Sequence, residues 1–79
     1  MIVQLFTTLG CHLCEEAHEQ LLSLARAGMD LSIELAEISD SEELVDQYGT
    51  TIPVIRADDR EISWPFSADE LRTFLENVA

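Results

Sequence analysis

Thr8-Leu9-Gly10-Cys11-His12-Leu13-Cys14 contains both cysteines of the chain, with two residues between them. The segment before it, residues 1–6, is apolar and β-branched, which predicts a short strand. After it, apolar residues recur at helical spacing, and this pattern predicts a helix from Cys11 or His12 to Ala27. The cysteine pair therefore lies at a strand-to-helix junction, where a dithiol redox site or an anion site is expected.

The rest of the first half predicts a second strand and a short helix. Residues 31–38 alternate between apolar and polar side chains, as in a half-buried strand, and Gly28 is expected to cap the helix before it. Ser39 or Asp40 is expected to cap the short helix, which Gly49 ends. The apolar side chains predicted for the inner face of this helix are Leu44, Val45 and Tyr48.

The second half predicts a β-hairpin and a final helix. Thr51–Ile55 enters a strand that Pro53 interrupts, and the turn Asp58-Asp59 leads into a second short strand at Glu61–Trp64. A serine-to-glutamate capping box over residues 67–70 opens the last helix. The side chains predicted for its inner face are Leu71, Phe74, Leu75 and Val78.

The element order is therefore β-α-β-α-β-β-α, over one domain that comprises residues 1–79. The first βαβ unit requires two parallel strands joined by a right-handed crossover. The hairpin is expected to add antiparallel strands to the same sheet, with helices on both faces. The sequence thus predicts an α/β fold with a four-stranded mixed sheet flanked by three helices.

The composition excludes several classes of function. Sixteen acidic residues stand against four arginines and no lysine, which gives a formal net charge of −12. This charge repels phosphate backbones, so no nucleic-acid partner is expected. The lack of lysine excludes a phosphate-loop lysine and a Schiff-base lysine. No run of about eighteen apolar residues occurs, so no membrane segment is predicted.

The cysteine content bears on the compartment. One closely spaced pair is not the framework of a disulfide-stapled secreted domain. The chain does not open with a basic segment followed by an apolar one, so no secretory signal is expected. We therefore expect a cytoplasmic protein. Its expected state is a monomer.

Four features together resemble the thioredoxin superfamily, and within it a small glutaredoxin-like protein. They are Phe6-Thr7-Thr8-Leu9-Gly10-Cys11, Cys11-His12-Leu13-Cys14, Thr51-Ile52-Pro53, and the hairpin with its final helix. The resemblance covers essentially the whole chain. It implies a thioredoxin-like fold, a thiol–disulfide oxidoreductase that reduces disulfides of a protein or a small molecule, and a cis Ile52–Pro53 bond that faces the cysteines.

The residues themselves fit this chemistry. A helix N-terminus lowers the pKa of a cysteine thiol from its ordinary value of about 8.5. Cys11 is therefore the expected nucleophile, and Cys14, one turn further, is the expected buried thiol that resolves the mixed disulfide. Gly10 lets a substrate approach closely. His12 either adds positive charge beside Cys11 or is an exposed residue without a role.

A substrate groove is predicted around the proline. The Ile52 N–H and C=O are expected to pair with an extended, thiol-bearing peptide, like an added strand. The residues predicted to bind substrate are Gly10, His12, Leu13, Thr51, Ile52, Pro53, Trp64 and Ser67.

The sequence departs from the glutaredoxin pattern where glutathione would bind. Trp64-Pro65-Phe66 replaces the usual glycine pair, and Thr8 stands where many glutaredoxins have a basic residue. We expect at least one of the two aromatic rings to pack in the core. The helix start at Ser67 still offers backbone donors to an anion. No cofactor is therefore expected to be required, and weak glutathione binding is predicted.

Other roles of the cysteines stay open at this stage. The chain could be a non-catalytic thioredoxin-fold binding module, or an iron–sulfur or metal carrier that uses Cys11 as a ligand. His18 follows Cys14 by one helical turn, but a structural zinc site requires four ligands, so no metal site is predicted. Two cysteines can also be inert apolar filling of a core.

Overall fold

The computed structural model describes residues 1–78, which form four strands, three α-helices and one short 3-10 turn. In chain order these are β1 (Ile2–Thr7), α1 (His12–Arg26), β2 (Ser32–Glu37), the 3-10 turn (Ile38–Asp40), α2 (Glu42–Tyr48), β3 (Val54–Ala57), β4 (Arg60–Ser63) and α3 (Ala68–Val78). The predicted order of elements is confirmed.

The four strands form one mixed sheet in the order β2-β1-β3-β4. β1 pairs with β2 in parallel and with β3 antiparallel, and β3 pairs antiparallel with β4. The predicted four-stranded mixed sheet with three helices is therefore confirmed. β2 and β4 are its two edge strands.

Each face of the sheet carries its own apolar core. On one face, α1 and α3 pack on the sheet through fully buried side chains such as Leu5, Leu21 and Leu75. On the other face, α2 packs through Tyr48, whose ring stacks on Phe6 with 4.3 Å between centroids. Alternate β1 residues point to opposite faces, so one strand serves both cores.

Local sequence determines where α1 and α3 begin. The Cys11 side chain caps α1 by accepting a hydrogen bond from the Cys14 N–H, and α1 ends at Arg26, two residues before Gly28, whose φ is +110°. In the capping box of α3, Glu70 N–H donates to Ser67 Oγ and Ser67 N–H donates to Glu70 Oε1, each at 3.0 Å. Both helix starts agree with the sequence prediction.

Two predictions about the middle of the chain are wrong. Ser41, rather than Ser39 or Asp40, caps α2, because residues 38–40 are taken up by the 3-10 turn. Val45 does not face inward: α2 has only two turns, and its inner face is supplied by Leu44 and Tyr48.

Residues around the two prolines also differ from the expected strand limits. β3 begins at Val54, after Pro53, rather than at Thr51, and β4 ends at Ser63, one residue before Trp64. The Ile52–Pro53 and Trp64–Pro65 peptide bonds are both cis. Among residues 1–78, no helix has the length and apolar character needed to cross a membrane.

Candidate functional site

The two cysteines form a disulfide at the N-terminus of α1, with their Cα atoms 5.2 Å apart. The Cys14 N–H points at Cys11 Sγ, at a distance of 3.1 Å. Cys14 is buried, with 2% of its surface exposed, whereas Cys11 is only partly covered. The pair is therefore asymmetric: one sulfur is held at the helix start near solvent, and the other lies under it.

His12 follows Cys11 directly and is the first residue of α1. Its side chain is exposed, and Nδ1 is 3.6 Å from a carboxylate oxygen of Glu15, which is also exposed. A protonated His12 would therefore be drawn to Glu15 rather than to the sulfur. This arrangement favours the second of the two interpretations of His12, in which it is an exposed residue that adds no positive charge beside Cys11.

The predicted substrate residues of the second half lie at the same end of the sheet as the cysteines. Val54 pairs with Phe6 at the end of β1 and with Ser63 at the end of β4. Pro53 and Trp64 extend from these positions, and the Trp64 N–H donates to the Pro53 carbonyl at 3.0 Å. The segments that follow β1, precede β3 and follow β4 therefore leave the sheet at the same end.

The backbone of Ile52 differs from its predicted role. Its N–H donates to the Tyr48 carbonyl at 3.1 Å, and the Thr51 N–H donates to the same oxygen at 2.9 Å. The end of α2 therefore already uses the donor that was expected to meet a substrate backbone. Only the Ile52 carbonyl remains for that role.

At the anion site predicted for the helix start at Ser67, the first backbone donor is also already in use. The Glu70 carboxylate accepts the Ser67 N–H at the start of α3, so a negative charge already sits there. Phe66 is buried in the core, as expected for one of the two aromatic residues, and the half-buried Trp64 ring packs edge-on against it at 5.1 Å. This side of the site is apolar and acidic.

A cavity that the sequence did not indicate lies on the opposite side of the disulfide. It has a volume of about 290 Å³ and lies between the first two turns of α1 and the edge strand β2. We call it the β2 cavity; its lining includes both cysteines and Leu5, Leu9, Leu35 and Glu37. Parallel pairing brings Leu35 beside Leu5 and Glu37 beside Thr7, a juxtaposition of residues thirty positions apart.

Glu37 is held as a carboxylate beside the cysteine loop. It accepts a hydrogen bond from the Ser39 N–H at 3.0 Å. This bond and the Thr8 hydroxyl hold the pKa of Glu37 below its usual range. Because these hydrogen bonds favour the charged form, Glu37 contributes a fixed negative charge to the cavity at neutral pH.

Metal ligation is not indicated within the described part of the chain. In residues 1–78 no three side chains of the His, Cys, Asp or Glu type are grouped so that they could hold a metal ion. His18 does line the β2 cavity together with both cysteines.

Comparison with known proteins agrees with the fold. The model of the Glutaredoxin-like domain family matches residues 2–76. The crystal structure of protein XcR50 from X. campestris has a TM-score of 0.81 at 38% identity and covers 95% of this chain and 96% of its own. The solution structure of XcR50 gives a TM-score of 0.79, also at 38% identity, over 98% of this chain and 95% of its own.

Thioredoxin 1 from Thermosipho africanus has a TM-score of 0.65 at 18% identity, covers 98% of this chain and 97% of its own, and supports the fold alone. No curated protein matches the chain.

A paired Cys11 and Cys14 in this fold support a thiol–disulfide redox role. From the sheet topology and the match over residues 2–76, the chain is a member of the Glutaredoxin-like domain family within the thioredoxin superfamily.

Proposed function

We propose that the chain is a thiol–disulfide oxidoreductase that reduces disulfides, with Cys11 as nucleophile and Cys14 as resolving thiol. The observation that carries this proposal is the asymmetric disulfide at the start of α1. A helix N-terminus stabilises negative charge, and the Cys14 N–H already points at Cys11 Sγ. The same interactions are available to a Cys11 thiolate once the disulfide is open.

The proposed reaction has two exchange steps. The Cys11 thiolate attacks one sulfur of the substrate disulfide, which forms a mixed disulfide and releases the other substrate sulfur as a thiolate. The Cys14 thiol loses its proton and attacks Cys11 Sγ, which closes the Cys11–Cys14 disulfide and releases the second substrate thiolate. Two electrons pass to the substrate, and an external reductant, one dithiol or two thiols, must then return two electrons to the protein.

The test of this function uses the reduced protein and a small neutral disulfide, hydroxyethyl disulfide. We expect the protein to lose two hydrogens in mass without forming a dimer, while two equivalents of mercaptoethanol appear. Dithiothreitol should restore the original mass. A protein that keeps two free thiols during prolonged incubation with this disulfide would contradict the proposed function.

The burial of the two sulfurs predicts a difference in reactivity. In the reduced protein, Cys11 should react with iodoacetamide at least about tenfold faster than Cys14 near pH 7, because only Cys11 is accessible at the helix terminus. Peptide mapping after a brief pulse measures the two rates. Denatured protein provides the control, since the two thiols should then react alike. Faster labelling of Cys14 in the folded protein would reverse the assigned roles.

Glutathione is proposed to bind weakly. It carries two carboxylates, and a good site for it offers fixed positive charge and free backbone donors. Here the Ile52 and Ser67 N–H groups are already used, and Glu70 places a carboxylate at the start of α3. The acidic side chains of α1 add further repulsion at low salt.

We therefore expect reduced glutathione to bind Cys14→Ala protein with a dissociation constant above a millimolar at physiological salt. Titration followed by backbone NMR at Thr8, Ile52 and Ser67 measures it. A parallel titration with dithiothreitol is the control, because it keeps the Cys11 thiol reduced without occupying the glutathione site. Saturation well below about a millimolar would show that the site accepts glutathione after all.

A further inference from the structure

The β2 cavity adjoins the disulfide on the side away from Pro53. Its floor is the buried Leu5, and two apolar side chains on its walls face solvent: Leu35 is 57% exposed and Leu9 is 92% exposed. Leu35 lies on the same face of the sheet as Leu5, beside it in the parallel pair, yet α1 does not cover it. Uncovered apolar side chains that surround a depression are typical of a binding site.

The charges of the cavity are negative. Glu15 and Glu37 both contribute to its lining, and the hydrogen bonds to Glu37 keep it ionised. No arginine is part of the lining, and the whole chain has a net charge of −12. An apolar group next to a cation therefore complements this cavity, and a carboxylate does not.

The neighbouring strand favours a polypeptide as the ligand. In the described sheet β2 pairs only with β1, so its outer edge has no strand partner. An extended segment can donate and accept backbone hydrogen bonds along such an edge while it places a side chain in an adjacent pocket. With about 290 Å³, the cavity is at the lower limit of ligand pockets and is large enough to accept an apolar side chain.

We propose that the β2 cavity is a specificity subsite that binds an apolar side chain of a disulfide-bearing polypeptide, with an adjacent basic residue of that polypeptide near Glu15 and Glu37. The assignment rests on the proposed oxidoreductase function. It names the class of substrate: a protein disulfide flanked by apolar and basic residues.

The apolar part of the subsite is tested by Leu35→Thr, which places a residue that is common in strands in β2 but removes apolar surface. Its matched control is Ile2→Thr, because Ile2 is similarly exposed at 61% on the neighbouring strand but does not line the cavity. The substrates are a cyclic disulfide peptide with Leu and Arg beside one cysteine, and hydroxyethyl disulfide.

We expect Leu35→Thr to lower kcat/KM for the Leu-Arg peptide about fivefold to tenfold relative to hydroxyethyl disulfide. Ile2→Thr should leave that ratio unchanged. An unchanged ratio in Leu35→Thr would overturn the proposal. If the unsubstituted protein shows no activity on hydroxyethyl disulfide, this result would instead contradict the oxidoreductase function itself.

The acidic part is tested by Glu15→Gln, with Glu34→Gln as control, since Glu34 lies on β2 but outside the cavity. The unsubstituted protein should prefer the Leu-Arg peptide over a matched Ser-Glu peptide, and Glu15→Gln should reduce this preference twofold to fivefold, or about as much as one exposed ion pair contributes. High salt should reduce the preference as well. Equal rates for the two peptides would overturn the charge assignment.

Binding is tested separately from redox activity with the Leu-Arg peptide in which serines replace both cysteines. NMR titration should shift the methyl signals of Leu9 and Leu35 and leave those of Ile2 in place. Shifts confined to residues near Pro53 would overturn the proposal. Shifts of Leu9 and Leu35 that follow protein concentration without peptide would overturn it too, because they would identify a second copy of the chain as the occupant.

Discussion

Cys11→Ser is expected to reduce disulfide-reductase activity by on the order of a thousandfold or more, because the reaction then lacks its nucleophile. The substitution should leave the fold intact. Serine is one of the preferred residues at a helix N-cap, so its oxygen can accept the Cys14 N–H as the sulfur does. Loss of activity without loss of stability would thus identify a chemical role.

The matched variant is Cys14→Ala, which keeps the nucleophile and avoids placing a hydroxyl in a buried position. It should perform the first exchange and stop there. Mass spectrometry should show one equivalent of mercaptoethanol attached at Cys11 after treatment with hydroxyethyl disulfide. One equivalent of mercaptoethanol attached at Cys14 in Cys11→Ser, with Cys14→Ala unmodified, would reverse the two roles.

Leu21→Ala is expected to lower the free energy of unfolding by about 2–5 kcal/mol. Leu21 is fully buried (0% exposed) where α1 packs on the sheet, so truncation removes apolar contacts and leaves a cavity. A domain of this size is stable by only about 5–10 kcal/mol, so the loss is a large part of the total. Urea unfolding of the oxidised protein, followed by circular dichroism, measures it.

Leu13→Ala is the control for Leu21→Ala, because it makes the same substitution in the same helix at a side chain that is 43% exposed. It should cost less than about 1 kcal/mol. Equal losses for the two variants would mean that the contact of α1 with the sheet does not depend on the buried face described above.

The fold could largely be predicted because most of its signals are local. Alternation of apolar residues, helical spacing and the Ser67–Glu70 capping box each involve neighbours in the chain. The errors occur where neighbours compete. Ser39, Asp40 and Ser41 can all cap a helix, and the 3-10 turn decides among them in favour of Ser41. Val45 is exposed because a two-turn helix needs few inward side chains.

The candidate site was predicted in part. Cys11 and Cys14 were placed correctly, since a motif at a strand-to-helix junction is a local feature. The substrate groove is implied by the resemblance, which does not specify which backbone donors the fold itself uses. The hydrogen bond from the Ile52 N–H to the Tyr48 carbonyl uses a donor that no local pattern assigns. The Ser67 N–H is used by the predicted capping box itself, which places Glu70 where an anion was expected.

The sequence by itself determined the order of elements, the position of the cysteine pair at the start of α1 and the acidic character of the chain. Only the tertiary structure decided that Leu35 and Glu37 lie beside the disulfide. The parallel register of β1 and β2 brings residues thirty positions apart into contact, and no local pattern specifies which pairs meet. α1 covers Leu5 on β1 but not its neighbour Leu35 on the edge strand β2, and the cavity beside the disulfide lies in this uncovered space.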